Sequence, residues 1–491
     1  MVALTAGPGP GDYDVVIVGS GPGGLQTAYC LQRLGIEHAV ISADEAPGGM
    51  FRTWPIFGRL LSWSKPDAPY GPGSREYEWH DHNSLLADEP ELRALVPQQM
   101  DRSYAVPSRA EMVAGHTAFA TGAGLAVRYG CRWEATRREP DGRLVLVTSE
   151  GEYRCRAAVF AIGVTQPWRS PIQGIEAVPH YAETREAASY RGRRVFVIGK
   201  RNSGFELADG LLPWARQLIV ASPSPVRAEV LALSTVRVRY FQPLEDAMVG
   251  GGTIALDAAI ESIERTGEGF RIRAHGTTHP GELVFETDEV IAATGFRTPL
   301  LDLPQLGVVT VSQGRVPALT PFFESTSAPG VFFAGNATQG AAGLRRDGVV
   351  STSAAVQGFR YNARILAQHL AERFGRPRAR GAVELRELPA LLGNALARWP
   401  ELWAQKGYLA RAVSLDGPAD DGVVPLEHFV DERGHDGVAV AVELDREGRI
   451  FPAVYIRRGG RLRIERLDPH PLHSFDGEPY RRALAQLLGA E

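Results

Sequence analysis

The stretch VIVGSGPGGLQTA, Val16–Ala28, sets the reading of the whole chain. Just before and into it, Tyr13–Val18 (YDVVIV) is a short β-branched run of the kind that forms a buried parallel strand. Gly19, Gly21 and Gly24 follow at the spacing G-x-G-x-x-G, and LQTAYCLQRLG continues with helical spacing through Leu25, Ala28, Leu31 and Leu34. Gly35 ends that helix, and HAVIS supplies a second strand. In such a β-α-β unit one glycine permits the tight turn, one lets the backbone approach a pyrophosphate, and one lets the helix pack on the sheet. The helix N-terminus then offers its free N–H groups to the phosphates. Ser42 ends the second strand, where an acidic residue usually takes the adenosine ribose; Asp44 and Glu45 lie just beyond and are placed to substitute through a shifted loop.

The design recurs about 180 residues later in RRVFVIGKRNSGFELADGLL. Val195–Ile198 reads as a strand, Gly199 as the turn, the helix starts at Ser203, and QLIVASPSPVR supplies the next strand. Two mononucleotide units imply two dinucleotides. Gly199 and Gly204 keep the frame, while Lys200 and Arg201 stand where the first loop has Ser20 and Gly21. Two cations beside a helix start, followed by Asn202 and Ser203, are expected to strengthen a phosphate-binding field. Lys200 is the more telling of the two, because only Lys65, Lys200 and Lys406 are lysines among 53 basic residues. Ser222, Ser224 and Arg227 fall at the polar strand end, where a 2′-phosphate would lie, so the second dinucleotide is expected to be NADPH.

Composition sets the outer limits. The 491 residues suffice for two to four domains, and 44% hydrophobic with 22% charged residues is ordinary for a globular chain. A net charge of -4 argues against nucleic acid as the main partner. Cys30, Cys131 and Cys155 are scattered, with no C-x-x-C and no metal spacing, which fits a reducing compartment. No signal peptide and no membrane-length apolar run is evident, and a cytoplasmic location is expected.

APGGMF, Ala46–Phe51, follows the first unit, and here the chain resembles the flavoproteins with two dinucleotide-binding domains. It is most similar to the class B flavin monooxygenases, with some features of thioredoxin-reductase-like enzymes. The resemblance implies FAD at the first loop and NADPH at the second, with Gly48 and Gly49 part of the FAD site. AIG at Ala161–Gly163 and ATG at Ala293–Gly295 resemble the two crossings between domains, and APGVFFAGN resembles the closing flavin strand, with Gly335 and Asn336 in place of the usual Gly-Asp. A helix from about Gly348 should point its start at the flavin ring. The expected fold is α/β: two Rossmann-like domains, the FAD domain split by an inserted NADPH domain, plus a small C-terminal α+β extension. The expected boundaries are 11–165 for the first FAD part (with an aromatic insertion at 52–104), 166–292 for NADPH, 293–375 for the second FAD part, and 381–491 for the extension. The last reads as a capping or dimerisation domain, with three antiparallel strands turning at Asp445–Gly448 and Gly459–Gly460.

The resemblance implies hydride transfer from NADPH to FAD but leaves the acceptor open. A thioredoxin-type reductase needs a vicinal cysteine pair, which this chain lacks. The first expectation is therefore a monooxygenase acting through a flavin C4a-(hydro)peroxide, taking a small molecule and O2, and hydroxylating an amine or inserting oxygen beside a carbonyl. The stretch AIGVTQPWRSPIQGIEAVPH lacks the F-x-G-x-x-x-H of that class, and resembles cysteine-independent reductases of the bacillithiol-disulfide and ferredoxin-NADP types as well. Such a reductase is the alternative. Lys65, Arg345 and Asp347, the last two in GAAGLRRDG, are candidate substrate contacts; no catalytic side chain and no metal site is assigned. His80-Asp81-His82 reads as a solvated loop, and His180-Tyr181 is open to a structural role at least as much as to a catalytic one. No membrane partner is expected, and a homodimer is left open.

Overall fold

The computed structural model describes residues 6–60, 62–226, 247–248, 252–344, 351–431 and 435–489; Arg227, Arg345 and Asp347 lie outside the described residues. The chain divides into two compact units, one comprising Met1–Arg52, Ser62–Val164 and Thr298–Glu491, the other Thr53–Leu61 and Thr165–Arg297. The α/β architecture with two Rossmann-like sheets and a C-terminal α+β extension is present.

In the first unit the opening strand, Gly11–Val18, pairs in parallel with His38–Ser42 on one side and Gly151–Phe160 on the other. Val127–Tyr129 extends one edge, and Val331–Phe333 pairs in parallel with Gly151–Phe160. Val15, Val16 and Ile17 are wholly buried, as a strand covered on both faces requires. The antiparallel meander Trp133–Arg138, Leu144–Thr148 and Gly151–Phe160 completes this sheet. The helix Arg109–Gly122 begins at Ser108, whose Oγ accepts from the Glu111 N–H at 3.3 Å while Glu111 Oε2 accepts from the Ser108 N–H at 2.6 Å.

That helix buries His116 completely. Burial pushes its imidazole down to about 4, from 6.5. The group stays neutral in the folded chain but protonates in the unfolded one, so the stability present above pH 6.5 is lost as pH falls toward 4. The total loss is roughly 3 kcal/mol. We expect His116→Phe to remove this part of the slope. In urea unfolding, the wild type should lose about 2 kcal/mol more than the variant between pH 7 and pH 5.

The second unit carries a six-stranded sheet in the order Glu282–Thr287, Phe270–Gly276, Thr253–Arg265, Gln217–Ser222, Arg194–Ile198, Glu289–Ala292. The last four pair in parallel and the first three are antiparallel. Part of the aromatic insertion belongs to this unit. The Phe57 N–H donates to Glu206 Oε1 at 2.9 Å, Tyr181 Oη donates to Glu206 Oε2 at 2.5 Å, and the Trp54 ring packs 4.8 Å from Phe296. The remainder, from Ser62, belongs to the first unit.

Two elements depart from the sequence reading. The helix expected from Gly348 starts at Val356 and runs to Arg373. Hydroxyls before it hold other partners: Ser353 Oγ accepts from Asn362 Nδ2 and Gln405 Nε2 at 2.9 Å each, and Thr352 Oγ1 donates to the Ala404 carbonyl. The C-terminal sheet has five antiparallel strands rather than three: Ala419–Pro425, Leu409–Ser414, Gly437–Leu444, Ile450–Arg458 and Arg461–Arg466. Its central strand is buried on both faces. Val438, Val440 and Val442 pack with Leu392, Leu396 and Leu484 of flanking helices, while Ala439 and Ala441 face Leu426 and Phe451.

Candidate functional site

In the first unit three backbone segments converge where the sequence expects FAD. A methyl group at Gly24 would stand 1.9 Å from the Gly19 carbonyl oxygen, so helix and strand meet there only because the side chain is absent. One at Gly23 would stand 2.4 Å from Gly335 Cα, and one at Gly49 2.7 Å from Gly21 Cα. Gly49 has φ +53°, and Gly48 has φ +121°. The loops carrying Gly19–Gly24, Gly48–Gly49 and Gly335–Asn336 thus form one cradle floored by backbone. Asn336 Nδ2 lies 3.7 Å from Met50 Sδ within it. The helix Pro22–Arg33 has no capping side chain and no acidic residue in its first turn, in contrast to the fully capped helix at Ser108. Its first N–H groups are left for a ligand phosphate. These features fit the pyrophosphate of a dinucleotide.

Ser42 is buried, its Oγ 2.9 Å from Ser20 Oγ and accepting from the Asp44 N–H at 3.2 Å. It braces the glycine loop and leaves the next acidic group, Asp44, at the strand end. Burial raises the Asp44 carboxyl, opposed by Arg52 and by the Ser42 hydroxyl.

The second unit repeats the geometry. A methyl at Gly204 would lie 1.9 Å from the Gly199 carbonyl oxygen, the same approach as at Gly24. One at Gly199 would lie 2.4 Å from the Ala293 carbonyl oxygen, just as one at Gly19 would lie 2.6 Å from that of Ala161. The helix Asn202–Leu211, with Ser203 in its first turn, also starts without a side-chain cap. Arg201, at its N-cap, is exposed.

Lys200 departs from the expectation of a free cation. Its side chain is 2% exposed and its ammonium is paired with Asp257. Asp257 sits beside Ser222 in the sheet register, and its Oδ2 also accepts from Thr278 Oγ1 at 2.6 Å. The carboxylate, held below its ordinary range by these bonds against its own desolvation, neutralises the lysine. Of the two cations read from the loop, Arg201 is the one exposed beside the helix start. His180 is buried; its Nε2 lies 2.9 Å from the Gly295 carbonyl and its Nδ1 accepts from the Ala182 N–H, so it holds backbone in place.

Lys65 is exposed, tied through its backbone to His80 and Tyr77. Sequence reasoning missed a chain of buried side chains behind the cradle. Gln405 Nε2 donates to Asn362 Oδ1 at 2.6 Å, Asn362 Nδ2 to Thr338 Oγ1 at 3.1 Å, and Thr338 Oγ1 to the Gly335 carbonyl at 2.7 Å. The extension is thereby wired to the Gly335 turn. No local motif marks these residues.

Comparison with known proteins agrees with this geometry. The sequence matches the pyridine nucleotide-disulphide oxidoreductase family over residues 16–335. It is 25% identical over 422 residues to FAD-dependent oxidoreductase domain-containing protein 2 of Danio rerio, covering 74% of this chain and 59% of that protein. The chain thus spans less than two thirds of that relative's length. A bacillithiol disulfide reductase of Staphylococcus aureus superposes with a TM-score of 0.56 at 16% identity, over 74% of this chain and 99% of that one. A flavin-containing monooxygenase of Stenotrophomonas maltophilia superposes with a TM-score of 0.55 at 22% identity, over 74% and 99%. These two likenesses are of fold. Among the described residues no helix is long and apolar enough to cross a membrane. The chain belongs to the pyridine nucleotide-disulphide oxidoreductase family, among the flavoproteins with two dinucleotide-binding domains.

Proposed function

We propose that the protein is an FAD- and NADPH-dependent monooxygenase that hydroxylates an amine nitrogen, or inserts oxygen beside a carbonyl, of a small molecule. The observation that carries this reading is the state of the cysteines. Cys30, Cys131 and Cys155 are all free and buried, and burial pushes the Cys30 thiol up to about 11 and that of Cys155 to about 12. No dithiol stands ready to relay electrons, which supports an acceptor that meets the flavin directly: O2 in the monooxygenase reading, a disulfide or ferredoxin in a cysteine-independent reductase.

FAD, when bound, takes a hydride from the nicotinamide and passes electrons onward. The chain's own part is to hold and shield. Backbone at Gly19, Gly21, Gly24, Gly48, Gly49 and Gly335 lines the FAD cradle, the uncapped helix start takes the pyrophosphate, and the Asn336 amide offers hydrogen bonds to a ribityl hydroxyl without charge. Gly199, Asn202, Ser203 and Gly204 would do the same for NADPH, with Arg201 and Ser222 as the side chains that would meet its phosphates. Lys200 serves by fixing the loop on Asp257.

Replacing all three cysteines by alanine tests the reading. The variant should keep its rate of NADPH oxidation and oxygen uptake within about twofold. A loss well beyond what its folded fraction explains would point to thiol chemistry instead.

A further inference from the structure

A groove of about 160 Å³ lies in the first unit, between the helix Val356–Arg373 and the C-terminal sheet. The geometry points to it as a binding site for a small organic carboxylate, separate from both glycine loops. Arg378, Arg380 and Arg457 line it, with Glu372, Asp421 and Asp436. The charges balance in number but not in availability. Asp421 Oδ1 pairs with Arg380 at 3.2 Å, and Asp436 Oδ1 accepts from the Gly459 N–H at 2.7 Å. Glu372 sits exposed at the rim and accepts from Gln368 at 3.1 Å.

The two remaining guanidinium groups contact carbonyls, not carboxylates. Arg457, 3% exposed, donates through Nη2 alone, to the carbonyls of Phe429 and Val430, and its guanidinium lies 4.7 Å from the Phe429 ring. Arg378, half-buried, donates through Nη1 to the Asp421 carbonyl. A guanidinium has five N–H donors, so both keep unused ones; Glu372, Asp420 and Asp421 lie near enough to act on the Arg378 charge, but its hydrogen bond goes to a carbonyl. His369, stacked 4.4 Å over Phe322, lines the wall together with His428 and His435. The unused N–H groups of these two arginines select an oxyanion, and the forked guanidinium suits a carboxylate.

Size and the rest of the lining choose among oxyanions. The volume is close to that of a cavity that admits benzene. Ile365, Val424, Phe429 and Phe322 give it an apolar side that inorganic phosphate would leave unused.

Calorimetric titration of the FAD-loaded protein with benzoate, succinate and inorganic phosphate tests the assignment. At least one carboxylate should bind at a single site. Arg378→Gln and Arg457→Gln should each weaken it roughly tenfold or more, while the exposed Arg386→Gln should leave it unchanged. If Arg457→Gln does not fold, Arg378→Gln decides alone. Absence of heat from every probe at millimolar concentration, preference for phosphate, or binding that Arg378→Gln leaves intact would each overturn the proposal.

Discussion

Gly24→Val should purify without flavin, whereas Gly204→Val should keep its flavin and lose reduction by NADPH. Both follow from one geometry occurring twice. In each unit a side chain at the third loop glycine would stand 1.9 Å from the carbonyl oxygen of the first. No rotamer relieves that contact, because both atoms belong to or hang directly from backbone. Either the helix moves off the sheet or the loop deforms, and overpacking of this kind costs about 1–3 kcal/mol or more. Where the loop deforms, the helix start no longer faces the phosphates, so cofactor affinity falls with local stability. Released flavin per chain, measured by absorbance after denaturation, and anaerobic reduction by NADPH read the two sites separately. Full flavin content in Gly24→Val would exclude the first loop as the FAD site. Normal reduction in Gly204→Val would exclude the second as the nicotinamide site.

The second large effect is expected at Arg360, which is 2% exposed inside the first unit. Its Nη1 donates to the Ser84 carbonyl at 2.9 Å, and its Nη2 to the Glu78 carbonyl at 3.2 Å and to Tyr361 Oη at 3.4 Å. Tyr361 Oη in turn donates to Glu78 Oε2 at 2.7 Å. One side chain therefore fastens the insertion to the helix that begins at Val356. Arg360→Leu would leave the buried Ser84 and Glu78 carbonyls without their donor, at a cost of about 1–3 kcal/mol for each, while the Glu78 carboxylate keeps Arg75. Chemical unfolding of the flavin-loaded variant and native-state hydrogen exchange should both show it, with exchange accelerated first around residues 77–86. A shift under about 1 kcal/mol would mean that water replaces the guanidinium.

What the sequence disclosed divides along physical lines. The two loops are legible because glycine is the only residue that allows the 1.9 Å approaches, so the need for contact is written locally. The capped helix at Ser108 is legible for the same reason. Lys200 is not, because the carboxylate that claims it lies 57 residues away in LDAAIES, where nothing marks Asp257. The start of the helix at Val356 is not legible either, because hydroxyls at positions 352 and 353 bond to Ala404 and Gln405, some fifty residues later. The strands Leu409–Ser414 and Ala419–Pro425 escaped notice because Arg411 interrupts an apolar run and the DGPADDG stretch reads as loop. In the fold Arg411 is buried, stacked 4.1 Å from the Trp399 ring and paired with Asp420. Residues 53–60 show the same limit: IFG carries no sign of its docking on Glu206. Local backbone demands are readable, and long-range side-chain partners are not.

The central claim is that electrons from NADPH go to oxygen at the flavin and not through a thiol. Rapid mixing tests it most directly. The flavin-loaded protein is reduced anaerobically with NADPH, mixed with oxygenated buffer, and followed by absorbance, alone and with a panel of amines and ketones. The account predicts that the oxidised flavin spectrum returns after a lag, through a species whose spectrum is neither that of reduced nor that of oxidised flavin. A single-phase return to oxidised flavin under every condition, with no substrate accelerating oxygen uptake, would contradict it and leave a reductase with a different acceptor.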